Sequence, residues 1–187
     1  MQDDIQKAIE VLKNGGVILY PTDTIWGLGC DATNAEAVKK IYQIKQRNDS
    51  KSMLVLLDNF DKIGLYVKEV PELADDLVTM SSKPLTIIYP GAVNLANNLV
   101  ADDGSIGIRV CSDEFCQKLI NRFRKPIVST SANVSGKQSP AIYSEISDDI
   151  IKEANYVVKW RQNDTSPAKP SGIIKLGLKG EITVIRE

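Results

Sequence analysis

The sequence contains no histidine. This absence excludes Ser-His-Asp and Cys-His catalysis and most transition-metal sites, because histidine is the usual base and the commonest metal ligand. Any catalysis must therefore use lysine, arginine, carboxylates, hydroxyls, backbone amides or a hard cation. Electrostatic stabilisation of an anionic substrate is the class of mechanism that remains.

The sequence also has few cysteines, no long apolar run and almost no net charge. The three cysteines (Cys30, Cys111 and Cys116) are odd in number and form no CxxC pair, so we expect buried thiols in a cytoplasmic protein rather than disulfides or structural zinc. No apolar run approaches the ~18–20 residues of a membrane helix, and "MQDDIQKAIE" does not resemble a signal peptide. Because the net charge is −1, nucleic-acid binding would require a local basic cluster.

The pattern of apolar residues predicts one α/β domain over residues 1–187, since 187 residues with 43% hydrophobic content can bury one substantial core. Helices are predicted over 3–14, 34–46, 71–80, 113–123 (with Ser112 as N-cap) and 142–153. Strands are predicted over 17–20, 53–57, 85–89, 106–110, 126–130, 156–160, 172–176 and 182–186. Interleaved helices and strands indicate a layered α/β fold, and the closing hairpin makes its sheet mixed.

Four loops at predicted strand ends carry unusual residues, namely "PTDT" (21–24), "GIR" (107–109), "STSANVSG" (129–136) and "KPSG" (169–172), and "KQRNDSK" (45–51) adds three cations. Ligands of open α/β sheets tend to bind outside strand ends. Small hydroxyl residues and glycine let backbone amides approach an anion, and lysine and arginine neutralise it. Each segment alone also fits an ordinary turn, helix end or solvent-facing strand residue. Together they favour a site for a nucleoside triphosphate and a second small anion.

The same segments resemble a known family. In order, "YPTDTIWGLGCDA", "IYQIKQR", "YPGAVN", "IGIRV" and "STSANVSGKQSP" are similar to the signature blocks of YrdC-like proteins, the threonylcarbamoyl-AMP synthases, over about residues 15–186. The resemblance implies a three-layer α/β fold with a twisted, mixed, about seven-stranded sheet and a concave positive cleft. The chain resembles the short bacterial form of this family.

The resemblance also implies a reaction and its partners. Such enzymes make threonylcarbamoyl-AMP from L-threonine, bicarbonate or CO2, and ATP, and they release pyrophosphate. Mg²⁺ is expected as the cofactor that accompanies ATP. A separate transferase complex then modifies an adenosine of tRNA, so contact with tRNA or double-stranded RNA is a further expectation. The alternative is a YciO-like paralogue that binds RNA or regulates without synthase activity.

Site residues follow from the resemblance motif by motif. The residues expected to bind L-threonine are Thr24, Arg109, Thr130 and Ser171. The residues expected to bind ATP are Lys45, Arg47, Lys51, Ser105, Ser131, Asn133, Ser139 and Arg186. Lys45, Arg47 and Arg109 would supply position and charge, no side chain is expected to act as a base or nucleophile, and none is expected to ligate the metal. The chain departs from the family pattern at Ala92, Asn94, Cys111 and Gly172, and "WRQND" replaces a glycine-rich turn.

Overall fold

A computed structural model describes residues 1–46 and 53–187. Five α-helices are present in these ranges: α1 (Gln2–Lys13), α2 (Ala35–Ile44), α3 (Ala74–Met80), α4 (Glu114–Phe123) and α5 (Asp148–Glu153). The strands are β1 (Ile18–Tyr20), β2 (Gly27–Gly29), β3 (Leu54–Leu57), β4 (Leu85–Tyr89), β5 (Ile106–Val110), β6 (Ile127–Ser131), β7 (Tyr156–Val157), β8 (Gly172–Leu176) and β9 (Ile182–Arg186). Short 3-10 helices cover Phe60–Leu65, Asn97–Leu99 and Tyr143–Glu145.

The nine strands form one twisted, unclosed sheet in the order β7-β1-β2-β6-β3-β5-β4-β8-β9. β7 runs parallel to β1, β3 to β5, and β4 to β8, whereas the remaining neighbours are antiparallel. The predicted α/β class and the mixed sheet are therefore confirmed. Helices α1 and α4 pack against each other, and α4 also contacts β3.

The sheet has nine strands rather than about seven, and β2 is the strand that the sequence pattern missed. Its sequence, Gly-Leu-Gly, has the low strand propensity of a turn. A Cβ added to Gly29 would lie 2.6 Å from a ring carbon of Tyr20 and 2.8 Å from the Val128 carbonyl oxygen. Glycine is thus required where β2 passes closely between β1 and β6.

Several predicted boundaries were wrong. The helix expected over 142–153 is a 3-10 turn at Tyr143–Glu145 followed by the shorter α5, and the strand expected over 156–160 stops at Val157. The helix expected over 71–80 begins at Ala74. The N-cap of α4 is Asp113, not Ser112, because the Asp113 carboxylate accepts the Cys116 N–H at 3.0 Å.

All three cysteines are free and buried, as predicted. Within residues 1–46 and 53–187, no helix has the length and apolar character that crossing a membrane requires.

Candidate functional site

A cavity of about 270 Å³ lies over one face of the sheet. Its wall combines hydroxyl side chains, two arginines and an apolar floor, contributed by strands of the sheet and by the loops between them. The lining residues are Thr24, Ile25, Trp26, Gly27, Met53, Leu54, Thr86, Ile88, Gly107, Arg109, Ser129, Thr130, Ser131, Ser139, Pro170, Ser171, Ile173 and Arg186. The site therefore extends across the sheet face as well as along the strand-end loops.

The loop after β1 is organised by the Thr22 hydroxyl. Thr22 Oγ1 accepts the Thr24 N–H at 3.0 Å and donates to the Ile25 carbonyl at 2.9 Å. It also lies 3.0 Å from Thr24 Oγ1 and 3.5 Å from an Arg109 guanidinium nitrogen. A local side-chain-to-backbone turn of this kind explains why small hydroxyl residues follow the strand. The turn places Thr24 in the cavity wall.

Arg109 is a buried cation in the wall. Its side chain is 3% exposed, and Nη2 lies 3.1 Å from Oδ1 of Asp23, which is itself 6% exposed. Within the described ranges, Arg109 Nε donates no hydrogen bond and Asp23 Oδ1 accepts none, so the contact between the two is ionic and poorly aligned. A buried guanidinium with an unused donor is well suited to a carboxylate or phosphate ligand.

The loop after β6 forms the neighbouring wall. Lys45, 2% exposed, donates from Nζ to the backbone carbonyls of Ser131 at 2.6 Å and Asn133 at 2.7 Å. The Asn133 amide donates to the carbonyls of Val134 and Lys137. Lys45 and Asn133 therefore hold the loop in shape, whereas Thr130, Ser131 and Ser139 reach the cavity itself.

The opposite wall is built by β4, β8 and β9. The Thr86 and Ser171 hydroxyls are 2.8 Å apart and both are buried, and Arg186 Nε donates to the Ser171 carbonyl at 2.9 Å. Burial, followed by the positive charge of Arg109, lowers the pKa of Arg186. Two guanidinium groups that repel each other across one cavity favour an anionic ligand between them.

The predicted site residues therefore divide into three groups. The cavity wall contains Thr24, Arg109, Thr130, Ser131, Ser139, Ser171 and Arg186. Lys45, Asn133 and Ser105 lie behind or beside the wall, and Ser105 hydrogen-bonds to Asp103. Arg47 and Lys51 lie outside the described residues.

Sequence reasoning missed Thr86 and Ser129, both in the wall. The signal for Thr86 was a lone hydroxyl in the apolar strand "LTIIY", and Ser129 sits two residues before Ser131 on the same face of β6. The wall also passes beside Gly172, where an added Cβ would come no closer than 3.6 Å to other atoms. The departure from the family pattern at Gly172 therefore reflects neither close packing nor a special backbone conformation.

Among residues 1–46 and 53–187, the wall contains no carboxylate, and no group of three or more acidic or cysteine side chains could hold a metal ion. Hydroxyls and guanidinium groups suit the phosphates of a nucleotide better than a bare cation. A magnesium ion in this cavity would therefore be coordinated by phosphate oxygens and water.

The chain is similar in sequence to known proteins. The family model Sua5_yciO_yrdC, described as "Telomere recombination", matches residues 10–187. A protein named threonylcarbamoyl-AMP synthase from Pseudoalteromonas translucida is 34% identical over 160 residues, which cover 84% of this chain and 86% of that protein. A protein of the same name from Photobacterium profundum is 31% identical over 171 residues, covering 87% and 92% of the two chains.

Solved structures show the same fold. P. abyssi Sua5 complexed with L-threonine superposes with a TM-score of 0.86 at 25% identity and covers 97% of this chain, although the chain spans only 53% of that protein. E. coli YciO superposes with a TM-score of 0.85 at 26% identity, covering 100% of this chain and 90% of YciO. Because the family model matches nearly the whole sequence and curated relatives exceed 30% identity over more than four-fifths of it, the chain belongs to the Sua5/YciO/YrdC family.

Proposed function

We propose that the protein synthesises L-threonylcarbamoyl-AMP from L-threonine, bicarbonate or CO2, and ATP, with release of pyrophosphate. The observation that carries the proposal is that all four residues expected to bind threonine (Thr24, Arg109, Thr130 and Ser171) line the same cavity. Three residues expected to bind the nucleotide (Ser131, Ser139 and Arg186) line it as well. Residues expected at the two substrates therefore surround one cavity.

The chemistry needs position and charge rather than a protein nucleophile. The threonine amine and bicarbonate form a carbamate with loss of water, and a carbamate oxygen then attacks the α-phosphorus of ATP. The bond between that phosphorus and the bridging oxygen breaks, pyrophosphate leaves, and a mixed anhydride with AMP remains. Holding the two anions in contact is itself a large part of such catalysis.

Each arginine has a role in this scheme. Arg109 would bind the threonine carboxylate through its unused donor, and the Thr24 and Thr130 hydroxyls would contact the rest of the amino acid. Arg186 would neutralise charge on the nucleotide side. Lys45 would act indirectly, because its ammonium holds the carbonyls of the loop after β6. The resemblance predicts that Lys45 contacts the phosphates. We propose instead that Lys45 shapes the loop after β6.

Magnesium would enter with ATP. When bound, it would neutralise phosphate charge and polarise the α-phosphorus for attack. The hydroxyls and backbone amides of residues 129–136 would orient the phosphates. We also place the reaction in the cytoplasm, where the three free thiols stay reduced.

The product would pass to a separate transferase complex that modifies tRNA. Mixed anhydrides hydrolyse readily, so direct delivery to that complex would protect the product. Contact of tRNA or double-stranded RNA with this chain is a further part of the proposal.

A second candidate is a YciO-like protein that binds RNA or regulates without making threonylcarbamoyl-AMP. It is favoured by the match to E. coli YciO, which extends over 90% of that protein, whereas the match to P. abyssi Sua5 extends over 53%. The curated synthases favour the first candidate, because the chain covers 86% and 92% of their lengths, as it covers 90% of YciO.

Pyrophosphate release separates the two. The purified protein is incubated with ATP, magnesium, bicarbonate and one amino acid at a time. We expect threonine alone to stimulate release and expect omission of bicarbonate to abolish it. If threonine stimulates no more than alanine or serine does, the synthase proposal is wrong and the YciO-like candidate stands.

A further inference from the structure

We propose that Arg161, which lies outside the cavity wall, is a positioning residue for the threonine side of the site. Arg161 Nη1 donates to the Thr22 backbone carbonyl at 3.2 Å and to Asp113 Oδ2 at 3.0 Å, and Nη2 donates to Asp164 Oδ2 at 3.3 Å. One guanidinium thus joins the loop after β1, the start of α4 and the segment after β7. This inference rests on the proposed function, because it assigns Arg161 to the binding of threonine.

The link to the site passes through Thr22. Arg161 fixes the carbonyl of Thr22, and the hydroxyl of the same residue positions Thr24 and faces the Arg109 guanidinium at 3.5 Å. Displacing the Thr22 backbone would therefore move both Thr24 and the polar contacts of Arg109. These are two of the groups to which we assign the binding of threonine.

The second link passes through α4. Asp113 uses one carboxylate oxygen to cap α4 at the Cys116 N–H and the other to accept from Arg161. The Cys116 thiol in turn donates to the Pro21 carbonyl at 3.3 Å. The loop after β1 is therefore held at two consecutive carbonyls, Pro21 and Thr22, and Arg161 is the charged member of the pair of donors.

The backbone conformation at position 161 does not explain why the residue there is an arginine. Its φ is +66°, in the left-handed region that residues with a Cβ rarely adopt. Glycine would take this conformation without strain. An arginine at such a position suggests that the contacts of its guanidinium offset the strain of its backbone.

The experiment compares threonine and ATP requirements in Arg161→Gly. Glycine tolerates the backbone conformation and removes the whole side chain, including the guanidinium. We expect the threonine KM to rise about tenfold, equivalent to about 1.4 kcal/mol, while the ATP KM stays within about twofold. Calorimetric titration with threonine alone should show the same rise in Kd. Arg161→Lys, which keeps the charge but reaches fewer acceptors, should recover part of the loss.

Asp164→Asn is the matched control. It removes the outermost ion pair of Arg161 but keeps the oxygen that accepts the Ser166 N–H. We expect threonine and ATP constants within about twofold of the wild type, since this half-exposed pair lies at the surface and contributes little.

The outcomes separate the inference from the proposed function. A threonine KM and Kd unchanged in Arg161→Gly, or equal rises for threonine and ATP, would overturn the positioning role. If Arg161→Gly does not fold, Arg161→Gln decides by the same comparison. A wild type that binds threonine but releases no pyrophosphate would refute the synthase proposal while the Kd comparison still tests Arg161. A wild type that binds no threonine would overturn both.

Discussion

Arg109→Ala should damage the use of threonine far more than the use of ATP. The guanidinium is buried in the cavity wall, faces Asp23 at 3.1 Å and keeps Nε without a hydrogen-bond acceptor among the described residues. We assign that unused donor to the carboxylate of threonine. We assign Arg186, the second arginine of the wall, to the nucleotide side. Within the described part of the cavity wall, Arg109 is then the one cation on the side of Thr24 and Thr130.

The size of the effect follows from the hydrogen bonds that alanine at this position cannot make. A hydrogen bond to a charged group contributes about 1.5–3 kcal/mol, or roughly a ten- to 150-fold change in an equilibrium constant. A carboxylate can accept two such bonds from a guanidinium. We therefore expect the threonine KM to rise on the order of a hundredfold and the ATP KM to change less than about threefold.

The same substitution also threatens the fold. Removing one partner of a buried ion pair costs about 3–5 kcal/mol, because the other charge stays buried. Total stabilities are only about 5–15 kcal/mol. The double variant Asp23→Asn/Arg109→Met removes both charges and preserves bulk, so it should be more stable than Arg109→Ala. Comparing it with Asp23→Asn isolates the arginine in a folded protein.

The assay is pyrophosphate release with one substrate varied and the other saturating, after thermal denaturation has shown that each variant is folded. Equal increases in the threonine and ATP requirements would refute the assignment of Arg109. So would a double variant that binds threonine as well as Asp23→Asn does.

Four further predictions concern the packing around the site. Lys45→Met should lower the free energy of unfolding in urea by about 2–4 kcal/mol, because two carbonyls of the loop after β6 lose a buried charged donor. Gly29→Ala should lower it by about 1–3 kcal/mol, because the new Cβ would overlap a tyrosine ring and a backbone carbonyl. Gly172→Ala, with no atom closer than 3.6 Å, should change it by less than about 1 kcal/mol. Cys30 and Cys116 should resist iodoacetamide in the native protein at about pH 8, because burial raises the pKa of both thiols, and mass spectrometry should find them modified only after denaturation.

Each of these predictions has a control measurement and a result that would contradict it. Lys39→Met, on the exposed side of α2, should leave the stability unchanged, and equal losses for Lys39 and Lys45 would contradict the role of the Lys45 ammonium. Equal effects of alanine at Gly29 and Gly172 would contradict the close packing of β2. Alkylation of the native thiols at the rate of the denatured protein would contradict their burial.

The family, the fold class and most of the polar side chains of the cavity wall could be predicted from the sequence because they depend on local patterns. Short apolar runs located β3 to β6, and small hydroxyl residues directly after β1 and β6 marked the loops that form two of the walls. The errors lie where tertiary contacts override local propensity. Gly27–Gly29 forms a strand because it pairs with β1 and β6, and at Gly29 the Tyr20 ring and the Val128 carbonyl leave room only for glycine. Residues 142–153 break into two short helices although their pattern resembles one.

The sequence alone determined which chemistry is available: without histidine, and with hydroxyls, glycines and arginines at strand ends, only the binding of anions was left. It did not determine which of these residues meet a ligand. Lys45 and Thr86 illustrate the difference, since the apparent phosphate-binding lysine is turned onto backbone carbonyls and an inconspicuous strand threonine faces the cavity. The reason is physical: residue type sets which contacts a side chain can make, whereas the direction in which it points depends on sheet register and on neighbours distant in the sequence.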